Sequence, residues 1–259
     1  MKKISTLFFS LIFIFACGKK ESEQTNQQEK KDSTANSKIT KPESGNSKTD
    51  KTNAGTLNSD SLGLPKGTSI MVHTFDVKEV SKLPDNVKYE GKIVAGCKWE
   101  DKNGANVILV TEMPEKTTTK SGDEFKSKTL YGYHFIIGNE NKQLWKIQDF
   151  VNDCQLDMNL SYIAKSLSLT DLDNNGIAET TFLYQMSCKG DVSPDDMKLM
   201  MHEGDKKYAL RGSMKLKMEG ETYGGEMTVD ASFKSAPKEF LEYAKKQWNR
   251  FNKVELKSN

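Results

Sequence analysis

Met214-Lys215-Leu216-Lys217-Met218, Glu219-Gly220-Glu221-Thr222-Tyr223-Gly224-Gly225-Glu226 and Met227-Thr228-Val229-Asp230-Ala231-Ser232-Phe233 run in succession, and their reading decides the fold class. Met214, Leu216 and Met218 alternate with Lys215, Lys217 and Glu219; Met227, Val229, Ala231 and Phe233 alternate with polar residues. Period-two alternation sends apolar side chains to one face of an extended strand and charges to the other. Gly220 to Gly225 reads as a turn, so the stretch predicts a half-buried antiparallel hairpin. The pattern recurs upstream. Tyr131, Tyr133, Phe135 and Ile137 lead through Gly138-Asn139-Glu140-Asn141 into Leu144-Trp145-Lys146-Ile147. Residues 197–202 turn at Gly204-Asp205 into Tyr208-Ala209-Leu210, and residues 70–75 predict an early strand. The expected fold is mainly β, an antiparallel β-sandwich or a pair of curved sheets.

One stretch reads as a helix. Ser235 is the expected N-cap, Pro237 falls in the first turn, and Phe240, Ala244, Trp248 and Phe251 share a stripe. This C-terminal helix is expected to cover an open side or end of the sheets. An internal repeat is also legible. Asp101-Lys102-Asn103-Gly104 followed by Val107 to Val110 aligns with Asp173-Asn174-Asn175-Gly176 followed by Glu179 to Phe182. Two four-stranded antiparallel units follow from it, too few for a closed propeller.

The second copy carries chemistry: Thr170-Asp171-Leu172-Asp173-Asn174-Asn175-Gly176-Ile177-Ala178-Glu179. Asp171, Asp173 and Asn175 stand at loop positions 1, 3 and 5, with the Ile177 carbonyl at 7 and Glu179 at 9. Calcium takes six to eight hard oxygens, and alternate residues of a tight loop supply them. The expected metal ligands are therefore Asp171, Asp173, Asn175, Ile177 and Glu179, and the expected cofactor is calcium. An EF-hand is excluded, because position 12 is Phe182 and the flanks read as strands. The arrangement resembles the calcium hairpins of integrin-type propeller repeats. The competing reading is an Asx-rich turn without an ion, since Asp, Asn and Gly suit turns anyway. The first copy holds Trp99, Asp101, Asn103 and Val107 at the same places and is not expected to bind. Asp171-Leu172-Asp173 could also be read as the DxD of a glycosyltransferase, but the alternating helices of a nucleotide-binding domain are missing.

Of the Cys residues beyond Cys17, Cys154 and Cys188 bracket this hairpin and are the expected disulfide, leaving Cys97 as a buried thiol. Met197, Met200, Met201 and His202 could suggest a copper site. Strand alternation puts Met197 and Met201 on one face and Met200 and His202 on the other, which favours core packing. His73, His134 and His202 each fall in a predicted strand. No Gly-x-Ser-x-Gly, His-Glu-x-x-His or phosphate loop occurs.

The chain begins Met1-Lys2-Lys3, and residues 7–16 are apolar but for Ser10, ending Ile14-Phe15-Ala16 before Cys17. A basic start followed by a short apolar run is a secretory signal, too short for a bilayer-spanning helix. The junction resembles the lipobox of bacterial lipoproteins. The resemblance implies cleavage before Cys17 and acylation of its thiol and amine by chains such as palmitate; two or more chains anchor stably. With Lys2 and Lys3 removed, 36 of the 38 basic residues remain against 36 acidic ones. The mature chain is then neutral, which excludes a global attraction to nucleic acid. In residues 18–60 eight Lys balance seven acids and Ala35, Ile39, Ala54 and Leu57 are the aliphatic residues, too few to offset chain entropy. The expected organisation is a signal peptide over 1–16, a lipidated Cys17 and disordered linker over 17–61, and a β-rich domain over 62–259. A flexible coil of that linker's length spans roughly 35–40 Å. Lys19-Lys20-Glu21-Ser22-Glu23 loosely resembles the surface-export signal of Bacteroidetes lipoproteins.

Residues 166–201, with the acidic loop and then Cys188-Lys189-Gly190-Asp191-Val192-Ser193-Pro194, resemble a family of flavobacterial lipoproteins labelled surface polysaccharide biosynthesis. The resemblance implies an outer-membrane protein, on the periplasmic face or the cell surface, with an accessory role in glycan assembly. It assigns no catalytic residues. The expected partners are the membrane, through the N-terminal lipid, and a surface glycan or envelope proteins, with Tyr162, Tyr184 and Trp99 as candidate sugar-stacking residues. The alternatives are a glycan-acting hydrolase or lyase with an acid pair hidden from sequence, or a structural or inhibitor lipoprotein.

Overall fold

The structure, a computed structural model, describes residues 73–74, 83–218 and 220–253. The signal segment, Cys17, the linker and most of the early strand at 70–75 lie outside the described residues. Fourteen strands and one helix are described. They are β1 (His73–Thr74), β2 (Lys92–Asp101), β3 (Gly104–Glu112), β4 (Lys116–Lys120), β5 (Asp123–Ile137), β6 (Lys142–Cys154) and β7 (Asp157–Tyr162). There follow β8 (Ser168–Thr170), β9 (Glu179–Lys189), β10 (Asp196–Glu203), β11 (Lys206–Ser213), β12 (Lys215–Met218), β13 (Glu221–Gly224), β14 (Met227–Val229), a 3-10 turn (Ala231–Ser235) and α1 (Lys238–Phe251). The fold is mainly β, as expected.

Two six-stranded antiparallel sheets form. The first runs β1-β2-β3-β5-β4 with β6 on β5; the second runs β14-β11-β10-β9-β7 with β8 on β9. Within them β2-β3-β5-β6 and β8-β9-β10-β11 are two like meanders. The repeat extends to register. Ile108, four residues after Gly104, pairs with His134, and Thr180, four after Gly176, pairs with His202.

Alternation sorts the side chains into three apolar layers. Ile108, Val110 and Leu130 of the first sheet meet Leu160, Phe182, Tyr184, Met200 and Ala209 of the second. Val107, Leu109, Tyr131, Tyr133 and Phe135 point the other way and are covered by Val87, with Leu83 and Tyr89 beside it. Leu183, Met197, Leu199, Met201, Tyr208 and Leu210 pack under α1 through Phe240, Tyr243, Ala244 and Trp248. The central strands are thus buried on both faces, and β3 carries an unbroken apolar run from Val107 to Val110. The split of Met197 and Met201 from Met200 and His202 follows the predicted alternation.

Two local expectations need correction. Residues 214–233 do not form one hairpin. β12 turns back at Gly220 (φ +88°) and pairs with β13, while β14 pairs with β11 through Leu210↔Val229. Gly220 and Gly224-Gly225 offered two turns. The nearer one closes the tighter hairpin, and the apolar strand after the second joins the large sheet. Ser235 ends the 3-10 turn rather than capping α1, whose N-cap position is Pro237.

Cys154 and Cys188 form the disulfide, joining β6 of one sheet to β9 of the other, and Cys97 is a buried free thiol. The bridge closes a loop of sequence separation 34. Its chain-entropy contribution is about 3–4 kcal/mol. Replacing both cysteines by Ser should lower the urea-unfolding free energy by about that amount; an unchanged unfolding midpoint would show that the cross-link contributes nothing.

Candidate metal centre

The loop between β8 and β9 brings together three of the five predicted ligands. Asp171, Asp173 and Glu179 each place one carboxylate oxygen so that all lie within 4.8 Å of one another. Oxygens bound to one calcium ion at 2.3–2.6 Å lie no farther apart than about 5 Å. Strands flank the loop, as expected. The backbone takes left-handed conformations at Asn174 (φ +57°) and Gly176 (φ +80°), which turn the chain back on itself. A Cβ at Gly176 would lie 2.6 Å from Lys102 Cε, so the lysine stem would have to move.

The acids divide their oxygens between two tasks. Glu179 Oε2 accepts from Thr170 Oγ1 (2.7 Å) and from the Leu172 amide (3.0 Å). Asp171 Oδ2 accepts from the Gly176 amide (3.0 Å). Asp173 accepts from the Asn175 amide (3.2 Å) and the Asn175 Nδ2 (3.0 Å). Glu179 Oε1 and Asp171 Oδ1 are buried and have no hydrogen-bond partner among the described residues. Asn175 and Ile177 lie in the same loop. The Asn175 amide nitrogen faces Asp173 and its Oδ1 accepts from the Ile177 amide (2.7 Å), so the Asn175 side chain braces the loop.

Glu179 is 0% exposed. Burial pushes its carboxyl up to about 8; the Thr170 and Leu172 bonds pull it down, and the charges of Asp173 and Asp171 push it up again. A fourth acid went unnoticed in the sequence. Glu203, at the end of β10, pairs in register with Glu179, is buried, accepts from Asn175 Nδ2 (2.5 Å) and meets Lys206 Nζ at 3.4 Å. A lone acid at a strand end gives no sequence signal. The Tyr208 hydroxyl is pushed up chiefly by burial, then by Glu203, with Asp173 and Glu179 adding to it. Four carboxylates thus crowd one corner.

The first copy of the repeat docks on the second. The Lys102 amide donates to the Gly176 carbonyl (2.9 Å), and Lys102 Nζ donates to the Asn175 carbonyl. The Ala178 amide donates to Asp101 Oδ2 (3.1 Å), which also accepts from Trp99 Nε1 (2.9 Å). A cleft of about 420 Å³ opens beside this contact, lined by Asn103, Lys142, Asn175, Glu203, Asp205 and Lys206 among others.

Two of the predicted sugar-stacking residues are not available to a glycan. Trp99 and Tyr184 are buried, Trp99 against His134 and Tyr184 with its hydroxyl on Asp149 (2.8 Å). Tyr162 is half-buried and its hydroxyl accepts from the Leu167 amide (2.9 Å). Trp99 and Tyr184 belong to the apolar layer between the two sheets, with Tyr162 packed against it. No protein-family model, no curated protein and no solved structure matches the chain.

The register equivalence of His134 and His202 puts both between the sheets. Trp145 lies between them, stacked on His202 (4.0 Å) and edge-on to His134 (5.7 Å). His134 Nε2 bonds Asn106 Oδ1 (2.9 Å). Burial lowers His134 to about 4, against a small opposing pull from Asp101; burial, then Lys207 and His134, lower His202 to about 3. Both are therefore neutral in the folded protein above pH 5. Stability is full above the unfolded histidine pKa near 6.5 and falls as acid protonates the unfolded chain but not the folded one. Unfolding free energy should drop by roughly 2–4 kcal/mol per histidine between pH 6.5 and 4. Urea titrations of His134→Gln and His202→Gln should show a shallower pH dependence over that window; slopes equal to wild type would exclude the histidines as its source.

Proposed function

We propose that the chain is a lipid-anchored lipoprotein of the outer membrane whose β domain is stabilised by calcium, with an accessory binding or assembly role in surface polysaccharide biosynthesis. The anchor is supported by Lys2 and Lys3, the apolar run and the lipobox-like Ala16-Cys17 junction. Among the described residues no helix is long and apolar enough to cross a membrane. The polysaccharide role is supported by the resemblance of residues 166–201. With Trp99 and Tyr184 buried, glycan contact is assigned to the cleft beside the loop. Its amides, carboxylates and ammonium groups match the hydrogen-bonding needs of hydroxyls.

The observation that carries calcium is the pair of buried, unpartnered oxygens on Glu179 and Asp171 beside Asp173. A plain Asx turn uses its carboxylates on its own amides, as Asp173 does. It has no need of a fully buried glutamate with one oxygen left over, whose desolvation costs free energy unless a cation or a proton offsets it. Carboxylate donors select a hard cation, and an irregular protein cage suits calcium better than magnesium, which demands a near-ideal octahedron. Glu179, fully buried, is not itself a candidate for the acid pair of the hydrolase or lyase alternative.

Calcium at a hundredfold over its Kd should stabilise the full chain by about 2.7 kcal/mol and raise its melting temperature by about 5–10 °C over chelator. Glu179→Gln should lose that increment. Equal wild-type melting curves with and without chelator would refute the ion. For the anchor, detergent phase partition of the protein from its native host should place wild type in the detergent phase and Cys17→Ser in the aqueous phase. Wild type in the aqueous phase would refute lipidation.

A further inference from the structure

We infer that Asp101 and Lys102, in the turn of the first repeat, are positioning residues for the cation loop of the second. The inference rests on the cation reading above. The two turns share one pattern, Asp-x-Asn-Gly, and the structure sets them against each other. The second keeps its acids for the ion. The first has its carboxylate committed elsewhere. Asp101 Oδ1 accepts from the Asn103 amide (2.8 Å) and Asn106 Nδ2 (3.0 Å), and Oδ2 accepts from Trp99 Nε1 (2.9 Å) and the Ala178 amide (3.1 Å). Every lone-pair direction is used, so Asp101 has nothing left for a metal. What it does instead is fix the amide of Ala178, the residue before Glu179. Lys102 fixes the other end of the same segment. Its amide and its Nζ hold the carbonyls of Gly176 and Asn175, and its stem fills the space over Gly176. Between them the two residues pin residues 175–178, the stretch that spaces Asp171 and Asp173 from Glu179. Residues that orient metal ligands from outside the coordination shell commonly govern affinity 10–100-fold.

Lys102 gives the proposal a sign that separates it from simple electrostatics. An ammonium group beside a cation site repels the ion, so deleting the charge alone tightens binding. Deleting a positioning contact weakens it. Asp101 gives a second separation. Asp101→Asn removes the charge and keeps one accepting oxygen, but its amide nitrogen then faces two of the four donors, whereas Asp101→Ala removes every acceptor.

The test is titration of the purified full chain with terbium in calcium-free buffer, exciting tryptophan and following sensitised emission. Trp99, bonded to Asp101, is the donor nearest in the bonding network. Wild type should bind saturably. Lys102→Met, which keeps the stem, should bind about tenfold or more weakly. Asp101→Ala should weaken to a similar extent, and Asp101→Asn should fall between Asp101→Ala and wild type. Lys120→Met, which removes a lysine paired with Asp153 at the surface, should bind as wild type. Circular dichroism with retained melting establishes that each variant is folded. Lys102→Met binding as tightly as wild type or more tightly overturns the role of Lys102. Asp101→Ala binding as tightly as wild type, or a loss that disappears at about 1 M salt as a screened charge effect does, overturns the role of Asp101. A wild type with no saturable signal ends the cation reading and the positioning role with it, an outcome distinct from wild type and variants binding alike.

Discussion

The approach of the second sheet to the first at Gly132 is the constraint from which the rest of the structure follows. A Cβ at Gly132 would lie 3.0 Å from the Phe182 ring and 2.9 Å from Ile147 Cγ1. The absent side chain lets an aromatic ring of one sheet rest on the backbone of the other, at the density of a protein interior. Once the sheets are this close, whatever points inward from either is dry. Trp99, Trp145, His134 and His202 then pack ring against ring, with Trp99 bonded to Asp101 and His134 to Asn106, and the histidines have to stay neutral. Each sheet also has a second apolar face to cover. The segment holding Val87 covers one and α1 the other, which makes a layered molecule from two meanders.

Apolar contact fixes how close the sheets lie but only weakly how they are aligned, because it has little directional character. Alignment comes from the two ends. The β2–β3, β5–β6, β8–β9 and β10–β11 turns gather at one end, as the pairings Ala105↔Ile137 and Glu203↔Glu179 require. There, hydrogen bonds from Lys102 and Asp101 tie turn to turn. At the other end Cys154–Cys188 ties β6 to β9. Between the ends, the Tyr184 hydroxyl on Asp149 and the Tyr162 amide on Glu112 add directional bonds from sheet to sheet.

The sequence made legible what depends on near neighbours. Alternation along residues 197–202 places each methionine on its correct face, and the stripe through Phe240, Ala244 and Trp248 describes the buried side of α1, to which Tyr243 and Gln247 are added. The three clustered acids were readable because one short loop carries them all. What depends on distant pairing was not readable. Nothing near Met227 says that it joins Gly212 rather than the β12 strand it resembles. Trp99 and Tyr184 alternate correctly as strand residues, yet the surface they shape is an interior one because of a sheet built far along the chain. Glu203 and Lys102 belong to the acidic corner only through register and through docking of the repeat. The repeat itself was visible, but two copies with unlike residues read as one active and one lapsed site, whereas in three dimensions they are two halves of one contact.

A corner holding Asp171, Asp173, Glu179 and Glu203 is a poor way to gain stability for its own sake, since apolar side chains of similar volume would serve at least as well. Its value lies in being conditional. The acids repel when neither proton nor cation is present, and the contact that aligns one end of the sheets then loses its rigidity. The fastener at the other end is conditional too, because a disulfide forms in an oxidising compartment and is kept open in a reducing one. On the reading of this chain as an exported, calcium-bound lipoprotein, both fasteners set after export, where calcium and oxidants are met together. On that same reading, a tie at each end of the interface would couple the setting of this domain to the compartment it reaches.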